Sequence, residues 1–136
     1  MEAAALPTGF VTLLMSDIEG TTVLLRKLGD RYGALLNDVR GILRAAVSGS
    51  GGREIDARAD EFFAVFQRAG AAVEAAVAVQ RALAAREWTD GLEVRLRIGI
   101  HSGCSWGAPQ VPGRAVTSRR PLSRLCSQLM LRSTPS

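Results

Sequence analysis

Two acidic positions in this chain stand where they could hold a cation. Asp17 closes an apolar run (Val11, Leu13, Leu14, Met15) in Phe10–Thr22, FVTLLMSDIEGTT, and is followed by Glu19, Gly20, Thr21 and Thr22. Asp60 sits in Ala59-Asp60-Glu61, inside Arg53–Phe66, REIDARADEFFAVF. A carboxylate at the end of a buried strand suits a hard divalent cation. A Gly-Thr turn into a helix offers free backbone N–H groups and the positive end of the helix dipole to phosphate oxygens. Taken alone, Asp-x-x-Gly-Thr is equally an ordinary turn with a capping hydroxyl.

The elements that must position these acids follow from periodicity. Residues 10–16 read as a buried strand, and 21–29 as a short helix that Thr21 or Thr22 could cap and Gly29 could stop. A second helix is predicted over 32–47, with Leu35, Leu36, Val39, Ile42, Leu43 and Ala46 on one face. The cluster Ser48-Gly49-Ser50-Gly51-Gly52 breaks the chain. Extended runs at 54–58 and 62–66 then flank Ala59-Asp60-Glu61 in hairpin fashion, with acids at the tip. An Ala-rich helix over 69–86 precedes a strand over 92–101, in which Leu92, Val94, Leu96, Ile98 and Ile100 alternate with Glu93, Arg95, Arg97, Gly99 and His101. Counting the two early helices as one crossover, the order is βαββαβ, an α+β ferredoxin-like sandwich. That topology can set the end of the first strand beside the hairpin tip. Asp17 and Asp60 would then face each other, and facing carboxylates repel unless a cation or proton separates them.

Composition bounds the rest. The 136 residues suffice for one domain with a real core, and an apolar content of 47% with 5% aromatics describes an Ala/Val/Leu interior. No apolar run is long enough for a membrane span, and the start MEAAALPTG lacks the basic region of a secretory signal, so a cytoplasmic location is expected. Cys104 and Cys126 read as free thiols. Of the net charge of +4, five arginines (Arg114, Arg119, Arg120, Arg124, Arg132) belong to residues 104–136, which hold no acid; residues 1–103 carry about −1. The expected organisation is therefore a domain over 1–103 and an irregular, disordered basic tail over 104–136, with a nucleic-acid role for the tail disfavoured.

Three segments in this order, FVTLLMSDIEGTT, GGREIDARADEFFAVF and VRLRIGIHSG, resemble the class III adenylate/guanylate cyclase catalytic domain, in particular the bacterial form. The resemblance covers about 94 residues and implies the N-terminal half of such a domain. It implies cyclic AMP or cyclic GMP formed from ATP or GTP by two-metal phosphoryl transfer. By resemblance Asp17, the Ile18 carbonyl and Asp60 hold two Mg²⁺ or Mn²⁺ ions. Backbone groups of Glu19, Gly20, Thr21 and Thr22 cradle the β- and γ-phosphates, and Asp56 falls on the base-selecting position, where many members carry a lysine. Members of this family act as dimers whose sites are completed from the opposite subunit, so a homodimer or a heterodimer with a cyclase is implied.

The departures bear on activity. Ala59 stands where the family usually has glycine, and a position needing φ > 0 makes alanine costly by about 1 kcal/mol or more. After Gly103 the family continues to an Asn-x-x-x-Arg motif that orients the ribose and stabilises charge on phosphorus. Here CSWGAPQVPGRAVTSRRPLSRLCSQLMLRSTPS follows, with no counterpart, so the catalytic residues stay unassigned and the implied domain is truncated or frameshifted, and weak or inactive. Two further readings are a non-catalytic or dominant-negative partner of a full-length cyclase, and a degenerate diguanylate-cyclase-like domain, for Arg58–Phe62 is similar to that family's R-x-G-G-D-E-F hairpin. A ferredoxin-like RNA-binding module is disfavoured because the strands lack base-stacking aromatics among basic residues. His101 is expected to be structural or solvent-facing, Phe62, Phe63 and Phe66 to be core, Glu61 to be solvated, and Arg95 and Arg97 to lie on a solvated or interface face.

Overall fold

Alternation along the strands decides the layers. In the computed structural model, which describes residues 9–105, strand β1 (Gly9–Ile18) buries Thr12, Leu14, Ser16 and Ile18 on one face. Helix α1 (Thr21–Leu28), a 3₁₀ turn at Gly29–Arg31 and helix α2 (Tyr32–Gly49) follow, then strands β2 (Arg53–Arg58) and β3 (Glu61–Phe66), helix α3 (Ala69–Ala85) and strand β4 (Leu96–Ser105). The sheet order is β2-β3-β1-β4 and every neighbouring pair is antiparallel. This is the expected ferredoxin-like βαββαβ arrangement, each β-α-β unit being split by an inserted antiparallel strand. The tail from Trp106 onward, with Cys126 and its arginines, lies outside the described residues. Among the described residues no helix is long and apolar enough to cross a membrane.

The helices cover one face of the sheet. In α2 the buried side chains are Leu35, Val39, Leu43 and Val47, a strict four-residue stripe, with Leu36, Ile42 and Ala46 packed along its flank. Helix α3 presents Ala71, Ala72, Ala75, Val79 and Leu83, and its small side chains let it lie close against α2 and β1. From the sheet, Leu14, Ile18, Phe62, Ala64, Phe66 and Leu96 complete the same core. Phe62 and Phe66 are core residues as expected, and Phe63 is half-buried. The helices are tied at the surface by an Arg86–Asp38 ion pair of 2.7 Å, and α2 to β2 by a two-bond pair from Arg44 to Glu54 at 2.7 and 3.0 Å.

The last strand begins later than its sequence pattern suggests: Leu92–Arg95 are not part of the sheet, and β4 starts at Leu96. The reason is the length of its partner. Ile18, the last residue of β1, pairs with Leu96, and the chain then leaves the sheet through Gly20 at φ 66°, ψ 32°, so the preceding residues have no ladder to join. Glu19 N–H reaches back to the Arg95 carbonyl at 2.9 Å, and Gln80 donates from Nε2 to the Leu96 carbonyl at 3.2 Å. Val94 is nevertheless buried, so the apolar alternation there serves core packing rather than pairing. At its other end β4 continues past Gly103 to Ser105, opposite Gly9.

The β2–β3 hairpin turns through Ala59 and Asp60, and Ala59 has φ 47°, the one positive φ at a non-glycine among the described residues. A two-residue turn that needs this geometry favours glycine because a Cβ crowds the backbone there. Ala59→Gly is expected to raise stability by about 0.5–1 kcal/mol, the relief of strain being partly offset by the freer unfolded chain. Denaturant melts should show a higher midpoint at an unchanged m-value.

Candidate metal and phosphate site

Asp17 and Asp60 are brought to the same end of the sheet by different devices. Asp17 points away from the helices, since it lies one residue out of phase with Ser16 and Ile18, and it is directly opposite Arg97 in the β1–β4 register. Asp60 is at the hairpin tip. Thr21, the first residue of α1, ties the hairpin tip to the end of β1. Its hydroxyl lies 2.8 Å from Asp60 Oδ2 and 3.0 Å from the Ile18 carbonyl. A hydroxyl has one proton to give, so one of these two oxygens is left short of a donor at any moment. The Asp60 carboxylate and the Ile18 carbonyl, both hard oxygen donors, therefore meet at Thr21, and Asp17 is the residue before Ile18 on β1.

The cation now serving Asp17 is Arg97. Its Nε donates to Asp17 Oδ1 at 2.8 Å and its Nη2 to Oδ2 at 2.7 Å, a forked pair that engages both oxygens. The bonds to Asp17 and then its charge push the Arg97 guanidinium above its ordinary range, with Glu19 and Asp60 adding to the same field. Sequence reasoning set Arg97 among solvated or interface residues; its partner is eighty positions away and only the strand register reveals it.

Two further residues escaped the sequence. Arg40, from the middle of α2, donates through Nη2 to the Ala59 carbonyl at 2.8 Å and so holds the tip that carries Asp60. Tyr32, the only tyrosine in the chain, hydrogen-bonds Thr21 and lies in the field of Asp60. Burial first, then the Asp60 charge, pushes its phenol above the ordinary range, against smaller opposing effects of Thr21 and Arg40. A raised folded-state pKa means stability that is present below the unfolded value of about 10 and is lost as pH rises through the folded value. A spectrophotometric titration of this single phenol should give a midpoint above that of the denatured chain, lowered when Asp60 is replaced by Asn.

The remaining expected residues are placed as follows. Glu19 is exposed, and its amide is already committed to the Arg95 carbonyl. Any cradle is therefore left to Gly20, Thr21 and Thr22, where α1 begins and helix N–H groups have no intrahelical acceptor. Asp56 pairs with Phe63, which pairs with Met15, so it lies on the same sheet face as Asp17, two strands away. Its carboxylate accepts the Ala57 N–H at 2.9 Å and pairs with Arg58 Nε at 2.8 Å. Glu61 and His101 are exposed, and Cys104 is an exposed free thiol. A cleft of about 840 Å³ beside the site, between α1 and residues 91–95, includes Lys27, Leu92 and Arg95 but neither aspartate. No group of three or more His, Cys, Asp or Glu side chains suited to a metal occurs among the described residues, so any ion here rests on two carboxylates and main-chain or other oxygens.

No family model matches the chain. It is 33% identical over 99 residues to an uncharacterized protein of Mycobacterium tuberculosis, covering 71% of this chain and 32% of that one, so it spans about a third of that relative's length. An adenylate cyclase of Lachancea kluyveri is 27% identical over 128 residues, 83% of this chain and 7% of that protein. Among solved structures, the guanylyl cyclase domain of the RhoGC fusion protein from Blastocladiella emersonii, described as a non-canonical dimer, superposes with a TM-score of 0.64 at 22% identity over 70% of this chain and 58% of its own. An adenylate cyclase of Trypanosoma brucei in its monomeric state gives 0.68 at 20% identity, over 74% and 59%. The described residues thus have the fold found in the class III adenylate/guanylate cyclase catalytic domain.

Proposed function

We propose that residues 9–105 form the metal- and triphosphate-binding half of a nucleotide cyclase site, with ATP or GTP as its substrate. The observation that carries this reading is the Thr21 hydroxyl, which at the start of α1 ties Asp60 to the Ile18 carbonyl, the residue next to Asp17 on β1. On this reading those oxygens hold Mg²⁺ or Mn²⁺, for which an all-oxygen donor set with two carboxylates is suited. Such ions, when bound, offset the charge of the triphosphate and make the ribose 3′-hydroxyl more acidic. The chain's own contribution is placement. Amides at Gly20, Thr21 and Thr22 receive the terminal phosphate oxygens, Thr21 and Arg40 keep Asp60 at the hairpin tip, and Asp56 meets the base. As a carboxylate Asp56 only accepts hydrogen bonds, so it favours a base edge that donates.

On this reading residues 1–136 do not carry the complementary half, and a second polypeptide or sequence beyond them supplies it. The one asparagine in the sequence is Asn37, within α2, and residues 104–136 hold no Asn-x-x-x-Arg. A positioned arginine acting on transition-state charge is worth about a thousandfold or more in phosphoryl transfer, so the chain by itself is weak or inactive. A heterodimer with a cyclase chain that supplies the missing residues is its working form, and a partner whose own residues are not matched would make the chain inhibitory instead. Calorimetric titration of the purified chain with ATP and with GTP, each with and without Mn²⁺, tests the core of this reading. Binding that requires the metal is expected; triphosphate binding indifferent to metal, or absent with it, rejects the assignment.

A further inference from the structure

Resting on the reading of Asp17 as a metal ligand, we infer that Arg97 occupies the metal-binding edge of that carboxylate and must be displaced before a divalent cation can load. The pair is built into the sheet. Asp17 and Arg97 are cross-strand partners in the β1–β4 register, so their backbones hold them face to face whatever the solvent does. Both carboxylate oxygens are engaged, at 2.8 and 2.7 Å, which removes the two-oxygen edge a cation would use and sets a fixed positive charge beside any ion that binds the remaining lone pairs. The two partners are unequally held. The Asp17 side chain is 20% exposed and that of Arg97 60%, so the guanidinium is the part free to swing away while the carboxylate stays in place. Arg97 also lies in the field of Asp60. Its ion pair is with Asp17, and the Asp60 field acts on it more weakly. Metal loading is then an exchange of cations: the Asp17–Arg97 bonds break, Asp17–metal bonds form, and no proton changes hands.

Arg95 supplies the internal control. It is the same residue type two positions earlier, exposed, and bonded to Glu93 at 2.9 Å from Nε rather than to either aspartate. Replacing it removes one positive charge from the neighbourhood without freeing Asp17. The probe is Mn²⁺ alone, titrated into the full chain with the free ion followed by its paramagnetic resonance signal. For Arg97→Gln the dissociation constant is expected to fall about two- to fivefold, the range of a part-exposed forked pair, and for Arg95→Gln less than about 1.5-fold. Arg97→Lys, which keeps the charge but loses the fork, should fall between wild type and Arg97→Gln and covers the case in which the glutamine variant does not fold. Asp17→Asn should weaken binding in every background. An Arg97→Gln affinity no higher than that of Arg95→Gln, with Asp17 still required, overturns the exchange and leaves the metal site standing. Binding that ignores Asp17 in all chains overturns the metal reading, and the exchange with it.

Discussion

Asp60→Asn is expected to cost the chain its metal-dependent triphosphate binding, by about a hundredfold or more, while leaving its melting temperature nearly unchanged. The substitution keeps the shape of the side chain, and the amide oxygen can still accept the Thr21 hydroxyl that now lies 2.8 Å from Oδ2. What disappears is one of the two negative charges a divalent cation needs, in a site where the described residues offer no third acidic ligand. Loss of a ligand outweighs loss of a supporting contact, and supporting contacts alone typically cost about 10–100-fold in metal affinity. Calorimetry with Mn²⁺ and nucleotide gives the affinity, and a thermal melt gives the control. An unchanged affinity would mean that the hairpin tip holds no ion.

The second large effect is on the fold. Phe66 is fully buried at the end of β3, opposite Thr12 of β1, and its ring fills the space left by the missing side chain of Gly52. A Cβ at Gly52 would come within 2.3 Å of the Phe66 ring. Phe66→Ala is expected to cost about 3–5 kcal/mol, the lost transfer energy plus the cavity that a sheet packed under α2 and α3 cannot close. Against a typical domain stability of about 5–15 kcal/mol, that removes a large part of the margin. Gly52→Ala acts at the same contact from the other side, overpacking it by about 1–3 kcal/mol. Urea melts of both variants check the pair, and a Phe66→Ala midpoint within error of wild type would show that this end of the sheet is not part of the cooperative core.

Much of this architecture was legible in the residues. The four-residue stripe of α2, the hairpin signature around Ala59-Asp60-Glu61 and the alternation before His101 each follow from local physics, and together they gave the βαββαβ order that the sheet has. What local reading could not supply was length and partnership. The start of β4 depends on where β1 stops, which no pattern in Leu92–Arg95 encodes. The Asp17–Arg97 pair, the Arg40 bond to the hairpin carbonyl and the Tyr32 contact with Thr21 each join different elements, and each became visible only once strands and helices were in register. The positive φ of Ala59 was readable only through resemblance, by the glycine that usually stands there, and the structure gives the physical ground for it. Glu19 shows the converse: a residue expected to lend its amide to phosphate spends it on the Arg95 carbonyl, because the chain must close the gap where the ladder ends.

The most direct test of the central claim is to mix the purified chain with a cyclase chain whose own two metal aspartates have been replaced, and to assay cyclic nucleotide with Mn²⁺ and ATP or GTP. If residues 9–105 are a working metal half, neither chain alone makes product, the mixture does, and the product vanishes when Asp17→Ala is used. A mixture in which the two chains co-elute yet form no cyclic nucleotide would contradict the account.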